Sequence, residues 1–228
     1  MMDESQDNCQ EVVAIDGPSG SGKSTVARAL ADSLGYQYLD TGAMYRAVTW
    51  YFLVHELDTD LDPERMQEVL AGLTVRLPRS GGVELNGQDV TAHLRSRDVE
   101  KRVSAISAIS AVRQSMRSLQ RAIADEGPVV AEGRDMASVV YPGARWKFYI
   151  DAAPIERARR RLLDFQNRGR EVTEAEVLEE IQVRDHLDST RKDAPLTQIG
   201  GAVYMDTTNM TQAQVVKALL QQIESGGG

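Results

Sequence analysis

Gly17-Pro-Ser-Gly-Ser-Gly-Lys-Ser24 sets three glycines, a lysine and a hydroxyl at a spacing suited to holding a polyphosphate. Gly17, Gly20 and Gly22 free the backbone to curl so that its N–H groups point inward, and a helix opening at the end of the run adds its positive end. Lys23 supplies a compact charge for the outer phosphates, and the Ser24 hydroxyl can ligate the magnesium ion that accompanies them. The whole cradle comprises Gly17, Pro18, Ser19, Gly20, Ser21, Gly22, Lys23, Ser24 and Thr25. A surface turn of small residues is the plainer alternative. The apolar strand pattern of Val12 to Ile15 before the run and the helix pattern of Thr25 to Leu34 after it argue against that.

A second concentration of charge lies in Pro154 to Leu196, which reads as helix, link, helix. In a helix Arg157, Arg160 and Arg161 share one face, as do Arg184, Asp188 and Arg191, so two helices can aim five guanidinium groups across a gap. Charge runs are usually solvated faces, but those favour Lys and Glu in alternation, and this segment is rich in Arg. Phosphoryl transfer needs such groups, because negative charge accumulates on the transferring group where water must not compete. An arginine-lined flap hinged over a phosphate loop is the architecture of a kinase for a small molecule. No general base stands out. A phosphate dianion needs none as acceptor, whereas a hydroxyl usually wants one, so the chemistry leans toward a phosphate acceptor.

Those residues need elements to carry them. Strand patterns at Val12 to Asp16, Tyr36 to Leu39, Val129 to Glu132, Trp146 to Asp151 and Ala202 to Asp206 alternate with helical ones, which implies a parallel sheet with helices on both faces. The loops leaving the carboxyl ends of the strands carry Gly17 to Ser24, Asp40 to Arg46, Gly133 to Met136 and the segment after Asp151, where open α/β sheets bind ligands. Between them, roughly 62–98 reads as a small antiparallel insert, with Leu73, Val75 and Leu77 alternating and Asn86-Gly87 as a hairpin turn. The expected organisation is a disordered tail over 1–10, a core from 11–40, 120–153 and 193–222, a region over 41–119 containing the insert, a lid over 154–192 and a disordered tail over 223–228.

Composition narrows the partners. A chain of 228 residues, 42% hydrophobic, can fill one core with appendages. Its net charge of −8 argues against a nucleic-acid polymer as partner. Cys9 is the only cysteine, so no intrachain disulfide or cysteine-built metal site is expected, which fits a reducing cytoplasm. The first ten residues are polar, and no apolar run reaches membrane-spanning length. His55, His93 and His186 show no ligand spacing.

Gly17-Pro-Ser-Gly-Ser-Gly-Lys-Ser24, Asp40-Thr-Gly-Ala-Met-Tyr-Arg46 and Glu132-Gly-Arg-Asp-Met136 together resemble the bacterial cytidylate kinases, across residues 11–222. The first motif alone marks a great many nucleotide-binding proteins; the second and third, in that order around a small sheet insert, are specific to this family. The resemblance implies the P-loop nucleoside monophosphate kinase fold and magnesium-dependent transfer of the ATP γ-phosphoryl group to CMP or dCMP. It also implies site roles. Thr41, Tyr45 and Arg46 would line the monophosphate pocket, with Arg46 on the acceptor phosphate. Ser104 and Arg113 would read the cytosine edge, Arg134 the acceptor phosphate and Asp135 the base. Arg184, Asp188 and Arg191 would reach the acceptor's sugar and phosphate, and Arg157 and Arg160 would serve the ATP side.

Cytosine offers an amino donor at N4 beside acceptors at N3 and O2, so an Asp and an Arg together can read it. Uracil would set O4 against a carboxylate, at roughly 1–3 kcal/mol. Asp135 could instead cap a helix or pair with Arg134. Ser104 and Arg113, nine residues apart, fall on opposite faces of a continuous helix, so a break is expected between them, with Ser110 as the cap of a new helix. Ala137-Ser138 and Gly143 depart from the family's usual residues, which bears on loop shape alone. The rivals are a kinase for UMP, AMP, shikimate or a coenzyme precursor on the same scaffold, a GTPase switch, for which the chain lacks an Asn-Lys-x-Asp motif, and an inactive binding module. A monomer suffices, since one chain carries both pockets and the flap.

Overall fold

The computed structural model describes residues 11–226; the expected tail over 1–10, with Cys9, and the last two glycines of the second lie outside them. In chain order the elements are β1 (Val12–Asp16), α1 (Lys23–Leu34), β2 (Gln37–Asp40), α2 (Thr41–Val54), α3 (Pro63–Ala71), β3 (Val75–Arg76), β4 (Glu84–Leu85), β5 (Gln88–Asp89), α4 (Arg97–Ala108), α5 (Ser110–Asp125), β6 (Val129–Gly133), β7 (Trp146–Asp151), α6 (Pro154–Gln166), α7 (Glu174–Thr190), β8 (Val203–Asp206) and α8 (Gln212–Glu224). One π-helical turn, Met136–Val140, follows β6. The chain divides into two compact units, one built from the segments up to Tyr38 and from Gly127 onward, the other from Leu39–Glu126.

The first unit is organised by a five-stranded sheet of order β2-β6-β1-β7-β8. β1 pairs in parallel with β6 and β7, and β7 with β8. All five residues of β1 are buried, which is why it reads as an unbroken apolar run up to its terminal acid. The pleat sends Val13 and Ile15 to one face, where Val26, Leu30, Phe148, Ile150, Val215 and Leu219 complete a core under α1 and α8. Val12, Ala14 and Asp16 point to the other face. α8 runs two residues into the expected C-terminal tail. The arginine-rich segment lies in this same unit as the expected helix pair, α6 and α7, which close on a small core of Ala158, Phe165, Val177 and Ile181. A capping box between Thr173 and Glu176 starts α7.

The second unit holds the expected antiparallel sheet, of order β3-β4-β5. Asn86 and Gly87 both take positive φ, 51° and 79°, as a two-residue hairpin turn of type I′ requires. The strands are only two residues long, and the stretch expected to be sheet from residue 62 opens instead with α3. There Asp62 accepts the Arg65 N–H and Pro63 holds the first helical position, a local start signal that outweighs the alternation further on. The region expected over 41–119 falls within this unit.

Candidate functional site

The phosphate loop joins β1 to α1. Gly17 has φ 149°, and a Cβ there would run into the Ile150 carbonyl oxygen of the neighbouring strand. Gly20 has φ 79°, and its Cβ would stand 2.9 Å from the Arg157 carbonyl oxygen. These positions need glycine for the turn and for close approach at once. Gly22, with φ 89°, is the N-cap of α1 and offers no side chain to the first turn, so the helix presents bare N–H groups to the loop. The Lys23 ammonium is buried and donates to the Pro18 carbonyl at 2.7 Å and the Ser21 hydroxyl at 3.4 Å. Burial, seconded by the positive charge of Arg134, brings its pKa down to about 7, against the pull of Glu132, Asp16 and Asp188. An anion in the loop would restore the charge.

Ser24 donates its hydroxyl to Glu132 Oε1 at 2.6 Å, and the Tyr38 hydroxyl reaches the same oxygen at 3.3 Å. Sequence reasoning quoted Glu132 within a motif but gave it no role. Its one signal was an acid, 5% exposed here, closing an apolar strand. Hard oxygen donors of this kind suit a magnesium ion. Among the described residues no group of three or more His, Cys, Asp or Glu side chains is placed to hold a metal.

After β6 the chain delivers Arg134 and Asp135 into a lattice of opposite charges. Arg134 Nε donates to Asp188 Oδ2 at 2.8 Å, Arg191 Nη1 lies 3.8 Å from Asp188 Oδ1, and Arg191 Nη2 lies 3.5 Å from Asp135 Oδ1. Burial works against the Asp188 carboxylate, but Arg134, Arg184 and Arg191 outweigh it and hold its pKa below the ordinary value. Of the residues expected on the acceptor, Arg134, Asp135, Asp188 and Arg191 are thus brought together here, with Arg184 one turn before Asp188 on α7. The acid that Arg134 Nε holds is Asp188, and the Asp135 carboxylate has the Arg191 guanidinium beside it.

Arg157 and Arg160 sit differently from the expected fan of arginines. Arg157 is buried; its Nη1 donates to the Ser19 carbonyl at 3.1 Å and to Asp185 Oδ2 at 2.6 Å, and its Nε to the Ala152 carbonyl at 2.9 Å. Arg160 donates through Nη1 to the Ser21 carbonyl at 3.2 Å and through Nη2 to the Thr207 carbonyl at 2.6 Å. Both therefore grip carbonyls of the phosphate loop. Arg161 leaves that face and lies 4.8 Å from the Phe165 ring centre, so the five arginines do not form one array.

In the second unit, Asp40 closes β2 and caps α2 by accepting the Ala43 N–H at 2.8 Å. Gly42 lets the Arg46 side chain, one turn on, lie back over this helix start: a Cβ at Gly42 would stand 3.2 Å from Arg46 Nη1 and from Asp40 Oδ1. Thr41 and Tyr45 are buried on α2, and the Arg113 guanidinium stands 5.4 Å from the Tyr45 ring centre. The expected helix break lies at Ile109, which is the N-cap of α5 by backbone conformation; Ser110 is the first helical residue and makes no cap. The break lets Arg113 Nη1 reach back to the Ser107 carbonyl at 3.2 Å. Ser104, half-buried on α4, stands one turn before Ser107 and accepts that residue's hydroxyl through its carbonyl at 3.2 Å.

A sequence model of the cytidylate kinase family matches residues 13–225. The chain is 46% identical over 211 residues to a cytidylate kinase of Caldanaerobacter subterraneus subsp. tengcongensis, an alignment covering 92% of this chain and 93% of that protein. It is 45% identical over 216 residues to the bifunctional pantoate ligase/cytidylate kinase of Prochlorococcus marinus; this takes in 92% of the chain but 43% of the relative, so the chain spans less than half of that protein's length. Among solved structures, an uncharacterized protein from Eubacterium ventriosum aligns with a TM-score of 0.51 at 14% identity, over 95% of this chain and 99% of that one, a likeness of fold alone. A family match of that extent, over a chain whose strand ends carry the phosphate loop and the Glu132-Gly-Arg-Asp segment, makes this protein a member of the cytidylate kinase family.

Proposed function

We propose that the chain transfers the γ-phosphoryl group of ATP to CMP or dCMP, giving ADP and CDP or dCDP, a step of pyrimidine nucleotide metabolism. One observation carries the reading: Ser24 of the phosphate loop donates to Glu132, two residues before Arg134, which in turn donates to Asp188, so the end of β6 joins the cradle to the charge lattice. The loop N–H groups and Lys23 bind and orient the ATP phosphates. An oxygen of the acceptor phosphate forms the bond to the γ-phosphorus as the bond to the β-phosphate oxygen breaks, and the electron pair leaves with ADP. Arg134, Arg184 and Arg191 neutralise the acceptor phosphate, which lets two anions approach. Arg157 and Arg160 hold the loop from behind, and their ATP-side role is to keep its shape. A bound magnesium ion would be held by Ser24, with Glu132 fixing that hydroxyl, and would screen the phosphate charge.

Asp135 takes the cytosine amino group, and Asp188 the sugar. Thr41, Tyr45, Arg46, Ser104 and Arg113 supply the rest of acceptor recognition. The partners are small nucleotides, the working form is a monomer and the compartment is the cytoplasm. In support, no helix among the described residues is long and apolar enough to cross a membrane, and the chain's acidity disfavours nucleic-acid polymers. The test is ADP formation with MgATP fixed and the acceptor varied among CMP, dCMP, UMP, AMP, GMP and shikimate. Turnover confined mainly to CMP and dCMP is expected. Faster turnover with another acceptor overturns the reading of the base, and none with any overturns the activity.

A further inference from the structure

Asp16 closes β1, is 2% exposed and points away from the core under α1 and α8. Its Oδ1 accepts the Met136 N–H at 2.8 Å and its Oδ2 the Ala137 N–H at 2.8 Å. These are the first two N–H groups of the π-helical turn. The next two to be paired, those of Val139 and Val140, go to the Asp135 carbonyl at 2.9 and 3.0 Å. The peptide plane between Asp135 and Met136 is therefore held at both ends, its N–H by Asp16 and its carbonyl by the turn. A fixed peptide plane sets ψ of Asp135, and with it the direction of the Asp135 side chain and of Arg134 before it.

We propose that Asp16 is a positioning residue for acceptor recognition: its carboxylate clamps the start of the Met136–Val140 turn and so aims Asp135 and Arg134. This rests on the reading of Asp135 and Arg134 as acceptor residues. Only a carboxylate offers one acceptor oxygen to each of two adjacent N–H groups; an asparagine would set its own N–H against one of them. The arrangement costs stability, since burial pushes the Asp16 pKa up to about 6 despite both bonds, with Asp135 repelling its charge and Lys23 favouring it. A buried acid that lowers stability while pairing two adjacent N–H groups suits a site that requires aim.

The experiment is Asp16→Asn, with KM for CMP, KM for ATP and the CMP-over-UMP ratio of kcat/KM measured separately. We expect KM for CMP to rise about tenfold and the ratio to fall at least about threefold, with KM for ATP within about twofold of the wild type. An unchanged CMP KM and ratio, or equal rises for both substrates, overturns the proposal. Asp135→Asn is measured alongside. If it leaves the ratio unchanged, the acceptor reading itself fails; if it lowers the ratio and Asp16→Asn does not, only the clamp fails. Should Asp16→Asn not fold, amide exchange in the wild type decides: protection of Met136 and Ala137 on a par with the β6 amides is expected, and exchange at the rate of open loops removes the clamp.

Discussion

At the residue scale, Asp135 is buried with Arg191 3.5 Å from its carboxylate, so a base edge that meets it must bring a donor. Asp135→Asn presents either a donor or an acceptor, and the preference for CMP over UMP should fall by about 1–3 kcal/mol, roughly 5- to 150-fold in the ratio of kcat/KM. Lys23→Ala removes the only ammonium in the loop while its backbone stays, so kcat should drop about a hundredfold or more with the far-UV spectrum unchanged. Normal turnover would dismiss the phosphate-loop reading. The placement of Lys23 and Ser24 at the opening of α1 was legible because strand, glycine turn and helix are neighbours within a few positions. Glu132 was not, since its partner Ser24 is 108 residues away and meets it only through the pairing of β1 with β6.

At the element scale, α6 is built against the phosphate loop as well as against α7. Arg157 and Arg160 bond to Ser19 and Ser21, and the Arg157 backbone leaves no room for a Cβ at Gly20. Gly20→Ala combines that clash with a left-handed φ of 79°, and should cost about 2 kcal/mol or more in urea unfolding, together with weaker ATP binding in titration calorimetry. A variant with wild-type stability and ATP affinity would contradict the tight seat of α6. The helix, link and helix of the arginine-rich segment were readable from periodicity, and so was the Asn86-Gly87 hairpin. Which way the arginines point was not, because a helix face says what is adjacent on that helix and nothing of what is packed against it. The start of α3 was missed because alternation at Leu73 and Val75 was extended backward over an Asp62-Pro63 helix signal.

At the scale of the whole molecule, two buried acids pull stability in opposite directions with pH. Asp188 is held below its ordinary value of 3.8 by its arginines, so its contribution is present above that value and is lost as the pH falls through the lower one. Asp16 is raised from 3.8 to about 6, so its contribution is fully present below 3.8 and lost as the pH rises through about 6. Asp16→Asn removes the second effect and leaves the first. Relative to the wild type, the variant should gain about 2–3 kcal/mol between about pH 4 and about pH 7 in denaturant unfolding; a flat difference would mean that Asp16 is not a buried charge. By itself the sequence determined the phosphate loop, the strand–helix alternation, the hairpin turn and the charge-rich helix pair, because each is a matter of backbone conformation or of spacing over a few residues. Only the tertiary structure decided that Asp16 clamps a turn 120 residues away, that Glu132 holds Ser24, and that Arg157 grips the loop from 138 residues further on. The contacts of Asp16 and Glu132 depend on strand register and on which face the pleat gives each side chain, so a shift of one residue would turn them to the other side of the sheet, whereas that of Arg157 depends on how α6 packs against the loop.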